Sequence, residues 1–138
     1  MTETEWENLR AFHGHLGPWL VLGVKIGRAA LTALTARKHF GVEVLARCPD
    51  SPPPSCLVDG LQLGTGATYG KRNIVLEPSD RFEVVVRNKD TGEAVRAAIL
   101  PAVPDQFRSW YEEMGEEACS RRVAEMPDEQ LFTLESVA

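Results

Sequence analysis

From Pro18 to about Lys38, apolar residues recur at helical spacing: Leu20, Val21, Val24, Leu31 and Leu34, with Ala29 and Ala30 between them. This predicts a long helix, with Pro18 in its first turn and Gly41 as the residue that closes it. Gly23 and Gly27 lie four positions apart on this helix and leave room for another backbone. The pattern then changes to Val42–Cys48, which reads as a strand and stops in the proline-rich segment 49–55. With Ser55 as a candidate N-cap, a second helix is expected from about Cys56 to Leu63. Cys56, Asp59 and Gln62 would share one face of it.

Three strand-like runs follow, at 74–77, 81–87 and 93–99, and Lys89-Asp90-Thr91-Gly92 fits the turn of a hairpin. An antiparallel meander is the expectation. From Gln106 to Arg122, Phe107, Trp110, Tyr111 and Met114 fall at helical intervals. Pro127-Asp128-Glu129 predicts a last short helix that includes Leu131 and Phe132, so 104–135 reads as a helical extension.

The order helix, strand, helix, three strands, then C-terminal helices predicts an α+β fold with a mixed, largely antiparallel sheet. At 138 residues, with no internal repeat and no long linker, the chain is expected to form a single domain over 1–138. The formal charge of −5 opposes a phosphate-backbone binder, so nucleic acid is not an expected partner. The acidic start Met1-Thr2-Glu3-Thr4-Glu5 lacks the basic and apolar regions of a signal peptide, and no run reaches the ~20 apolar residues of a membrane span. A cytoplasmic protein without a membrane partner is expected. Three cysteines, Cys48, Cys56 and Cys119, cannot all pair, and they read as ligands, nucleophiles or small core residues.

Two blocks carry candidate chemistry. Phe12-His13-Gly14-His15-Leu16-Gly17-Pro18 holds two of the three histidines; the other block runs from Cys56 through Asp59 and Gln62 to Asn73. Imidazole and thiolate are donors that a borderline-soft ion such as zinc prefers, so His13, His15 and Cys56 are candidate ligands. Equally, one histidine could line the start of the helix while the other sits in the core or at the surface. Three protein ligands would leave a position open for water or substrate. Asp59 could orient a ligand histidine, act as a base, or pair with a cation.

The glycine-rich segment 64–73 is not a nucleotide phosphate loop. The first glycine of that motif would fall at Thr65, and Arg72 stands where the magnesium-binding Ser or Thr belongs. It reads as a tight turn in which Thr65, Thr68 and Asn73 could present donors to an anion or a carbonyl, with Lys71 as a candidate catalytic cation. Alternatively, the glycines only make the turn and Lys71 is solvated.

His13-Gly14-His15-Leu16-Gly17-Pro18, the Gly- and Ala-rich helix, Cys56-x-x-Asp59-x-x-Gln62 and Thr65-Gly66-x-Thr68-x-Gly70-Lys71-x-Asn73 together resemble the FmdE-like domain of formylmethanofuran dehydrogenases, over about 12–100. That family is marked by HGHxCPG, a CxxDAIQ-like block and TGCTxGKGN. The resemblance implies an α+β domain, commonly dimeric, with a metal pocket built from the histidine block and the cysteine. Here Gly17 and Ala67 replace two family cysteines, Gly60-Leu61 replaces Ala-Ile, Arg72 replaces a glycine, and the cysteine-rich extension of many relatives is absent from this sequence.

The leading expectation is a metal-binding protein, with zinc as the ion, that serves as an accessory or metal- or cofactor-handling partner of a molybdenum or tungsten oxidoreductase. A stand-alone metal-dependent enzyme acting on a small anionic substrate is the alternative, and a metal-free small-ligand module is a third reading. A homodimer is expected from the family habit and from the aromatic residues of the C-terminal helix.

Overall fold

The computed structural model describes residues 1–137. The chain opens with a helix that its apolar pattern did not announce, α1 (Glu3–His13). Thr2 and Glu5 cap it reciprocally, and Gly14 ends it in the left-handed conformation, φ 95°. Only Trp6 and Leu9 of α1 are buried, and the helix is polar on average, so its apolar content is thin.

Helix α2 (Pro18–Leu34) begins at Pro18 as expected but stops at Thr35, not at Gly41. Thr35 adopts φ 47° and its N–H bonds back to Leu31 and Thr32, so the helix closes on a left-handed threonine. Its first seven residues are all buried, as befits a helix enclosed by other elements. Of the two cations within it, Lys25 donates to the carbonyls of Ala124 and Met126 at 3.0 and 2.8 Å, and Arg28 reaches Glu5 at 3.3 Å.

Strand β1 (Val42–Cys48) occupies the predicted residues. After the prolines and a single 3-10 turn, α3 (Leu57–Thr65) follows, without a side-chain cap from Ser55. The next strands are β2 (Ile74–Pro78), β3 (Glu83–Asn88) and β4 (Ala94–Ile99). The sheet order is β2-β1-β3-β4-β5, where β5 is Phe132–Val137.

Two expectations are corrected. β2 does not join a meander; it pairs in parallel with β1, Val44 opposite Ile74, because α3 carries the chain back across before β2 begins. The last segment is not a helix. Asp128–Gln130 makes one 3-10 turn, and Phe132–Val137 then pairs antiparallel with β4. The fold class holds: an α+β domain with a mixed, mostly antiparallel sheet.

α2 and α3 cross in backbone contact. A Cβ added to Gly60 would collide with the carbonyl oxygen of Leu20, and one on Gly23 with that of Leu57. Helix α4 (Val103–Glu125) is broken at Gly115, φ 83° and ψ 172°, a conformation essentially reserved for glycine. Its second half buries Cys119, Ser120 and Val123. Among the described residues, no helix is long and apolar enough to cross a membrane.

Candidate functional site

The histidine block lies between two helices. His13 is the last residue of α1, Gly14 turns the chain, and α2 starts at Pro18. The two imidazoles are brought together, with ring centroids 4.6 Å apart and planes tilted by 45°.

Each ring is held through Nδ1. His13 Nδ1 donates to Asp59 Oδ2 at 2.6 Å, reaching from the end of α1 to α3. His15 Nδ1 faces the carbonyl of Leu16 at 2.7 Å and Glu116 Oε2 at 2.9 Å. Both sets of partners only accept, so Nδ1 carries a proton, and in the neutral ring the lone pair is then on Nε2. His13 Nε2 is buried and has no hydrogen-bond partner among the described residues. A native protein rarely leaves such an atom unused.

Asp59 also accepts from Gln62 Nε2 at 3.5 Å, and Gln62 Oε1 accepts the backbone N–H of Tyr69 at 2.9 Å. The predicted shared face of α3 thus ties His13 to the glycine-rich turn. Glu116 carries no local sequence signal, lying 101 positions from His15. The break at Gly115 turns the chain just before this glutamate.

Cys56 heads α3 and opens onto the same cavity as His15. Burial, then the Asp59 carboxylate, pushes its thiol above the usual range, since both disfavour the thiolate. Among the described residues, no three His, Cys, Asp or Glu side chains are arranged as an assembled ion site. The structure brings together His13, His15 and Asp59, and sets Cys56 on the wall of a cavity that His15 also lines.

The second group of candidates is internally bonded. Thr65 Oγ1 donates to Leu61 O and accepts from the N–H of Ala67. Asn73 Nδ2 donates to His39 O at 2.8 Å and Val42 O at 3.0 Å, and its Oδ1 accepts from Thr68 N–H. Lys71 Nζ donates to Thr68 Oγ1 at 3.2 Å and stands 5.7 Å from the centre of the Phe40 ring. Lys71, Thr65, Thr68 and Asn73 are not among the residues that line the cavity.

The family described as "FmdE, Molybdenum formylmethanofuran dehydrogenase operon" matches residues 12–133. The chain belongs to the FmdE family. A solved structure of a tungsten formylmethanofuran dehydrogenase FmdE-like protein from Syntrophus aciditrophicus superposes with a TM-score of 0.66 and 26% identity, covering 98% of this chain and 71% of that one. A protein of Archaeoglobus fulgidus described as a probable S-adenosyl-L-methionine-binding protein is 33% identical over 86 residues, 59% of this chain and 23% of its own. The chain therefore spans about a quarter of that relative's length.

The FmdE pattern has a cysteine where this chain has Gly17. A Cβ at Gly17 would stand 3.9 Å from Cε1 of His15, so that position borders the imidazole. The donor chemistry, two imidazoles with Nε2 available and one of them orphaned, fits a divalent ion.

Proposed function

We propose that this FmdE protein binds a divalent metal ion, most simply zinc, and acts as an accessory or metal- or cofactor-handling partner of a molybdenum or tungsten oxidoreductase. Its family's association with a formylmethanofuran dehydrogenase operon supports the accessory role. The observation that carries the metal reading is His13, with Nδ1 fixed by Asp59 and Nε2 buried without a partner. A carboxylate behind an imidazole sets its tautomer and raises its basicity, the arrangement usual behind a metal-bound histidine. Nε2 of His13 and of His15 would hold the ion, and Cys56, once deprotonated, would add a sulfur donor. The ion would polarise a ligand that reached it.

Zinc titration against a chromophoric chelator tests this. The native chain is expected to take up one ion, and His13→Ala to lower affinity by about 100-fold or more. Equal zinc binding by the two proteins overturns the reading. A homodimer belongs to the same proposal: Val75, Leu45 and Val85 are aligned across β2, β1 and β3, and Val75 is 57% exposed. A monomer mass in light scattering at micromolar concentration removes that part. A reducing, cytoplasmic setting would suit the free thiols.

A further inference from the structure

His15 and Cys56, which the metal reading uses, edge a cavity of about 540 Å³ whose other walls that reading leaves unused. Trp19 and Phe107 close its inner side, edge to face with centroids 5.2 Å apart. Phe82 stacks on Trp19 at 5.4 Å, and Tyr111 from the first half of α4 adds an exposed aromatic wall. Prolines supply much of the remaining lining. Because Gly115 breaks α4, residues before the break line the cavity while Glu116, just after it, holds His15.

The few polar side chains have a definite character. His15 and Cys56 lie on the imidazole side; Arg108 and Glu112 come from α4. The Arg108 guanidinium is paired with Asp105 at 2.9 Å, and no lysine lines the cavity among the described residues. A phosphate entering there would face Glu112, and the one guanidinium, largely exposed and shared with Asp105, would offer it only a screened charge. The volume and lining are those of a small-molecule site, apolar with a few placed polar groups.

We propose that this cavity binds a flat aromatic molecule of two or three fused rings, uncharged over its ring system, whose polar end points toward His15 and Cys56. The ring system is held by Phe82, Tyr111 and the prolines, and phosphorylated compounds are rejected. Recognition of the rings does not depend on the metal, so this site stands beside the proposed function and can be tested apart from it.

The experiment is calorimetric titration of the full chain, stripped with chelator and separately loaded with zinc, using 2-naphthalenemethanol and 2-naphthyl phosphate as probes. One alcohol per chain is expected in both forms, with tryptophan fluorescence changing as Trp19 is approached. The phosphate should bind stripped protein at least tenfold more weakly. Tyr111→Ala, at a 48% exposed position, should weaken the alcohol at least fivefold with the melting temperature kept. Gly17→Leu should abolish binding by filling the cavity: φ is −168°, which any residue adopts, and the atom nearest an added Cβ is Cε1 of His15 at 3.9 Å.

Failure to bind zinc with the alcohol still bound would sink the metal reading and leave this one standing. Absence of saturable alcohol binding, equal affinity for the phosphate, or full affinity in both variants overturns it. So does a dimer in sedimentation that Tyr111→Ala dissociates, since a second copy would then be the occupant.

Discussion

The histidine block and the glycine-rich turn carry similar inventories of polar side chains, yet the structure treats them in opposite ways. In the turn, Asn73 spends its amide on His39, Val42 and Thr68, and Lys71 lies against Thr68 and Phe40. At the histidine block one nitrogen of each ring is anchored and the other is left over, buried in the case of His13. A polar side chain such as Asn73, whose bonds are complete, holds the chain in place. One that is fixed on one side and empty on the other is set up to receive something.

Asn73→Ala should produce the largest change. It would leave two carbonyls and an amide without their partner, costing about 3 kcal/mol in urea unfolding, while zinc affinity measured on the folded fraction stays as in the native chain. Loss of zinc binding out of proportion to unfolding would erase the distinction between the regions. Asp59→Asn should do the reverse: zinc affinity falls about 10- to 100-fold by chelator competition, with little change in the urea midpoint. Unaltered affinity would reduce Asp59 to a packing contact.

Protons supply the third test. Burial and Asp59 hold Cys56 in the thiol form at neutral pH, and a sulfur ligand must be the thiolate. Zinc uptake should therefore release about one proton, and affinity should rise about tenfold per unit between pH 7 and 8. Calorimetry in buffers of different ionisation enthalpy measures the release, which Cys56→Ser should remove. If the serine variant releases as much, the sulfur is not a donor. The smallest effect is expected for Lys71→Met, within about 0.5 kcal/mol in stability and without change in zinc affinity. A marked loss of anion binding in that variant would return the turn to the functional surface.

Local signals in the sequence delivered what depends on neighbours along the chain. β1 is bounded by Gly41 and Pro49, so its limits could be read directly, and Pro18 marked the start of α2. The signals for α1 and β5 were also present but outweighed. Thr2 and Glu5 form a capping box ahead of a helix with little apolar content, and Phe132-Thr133-Leu134-Glu135 alternates in the manner of a strand behind a proline that looked like a helix start. The pairing of Asp59 with His13 links α3 to the end of α1, and spacing within α3 could show only that Asp59 and Gln62 share a face. Glu116 and the aromatic cavity depend on where a distant helix breaks, which no window around His15 contains.

Gly60 lies inside the same short block as Cys56, Asp59 and Gln62, yet it touches none of the chemistry directly. With Leu20 O occupying the place where its side chain would begin, even one methyl group would wedge α2 and α3 apart. The histidines reach the site at one end of that crossing and Asp59 comes from α3, so the span between donor and anchor is gauged by two backbones in contact. A complete substitution scan would therefore find Gly60 and Gly23 as intolerant as His13, and would count spacers among the reagents.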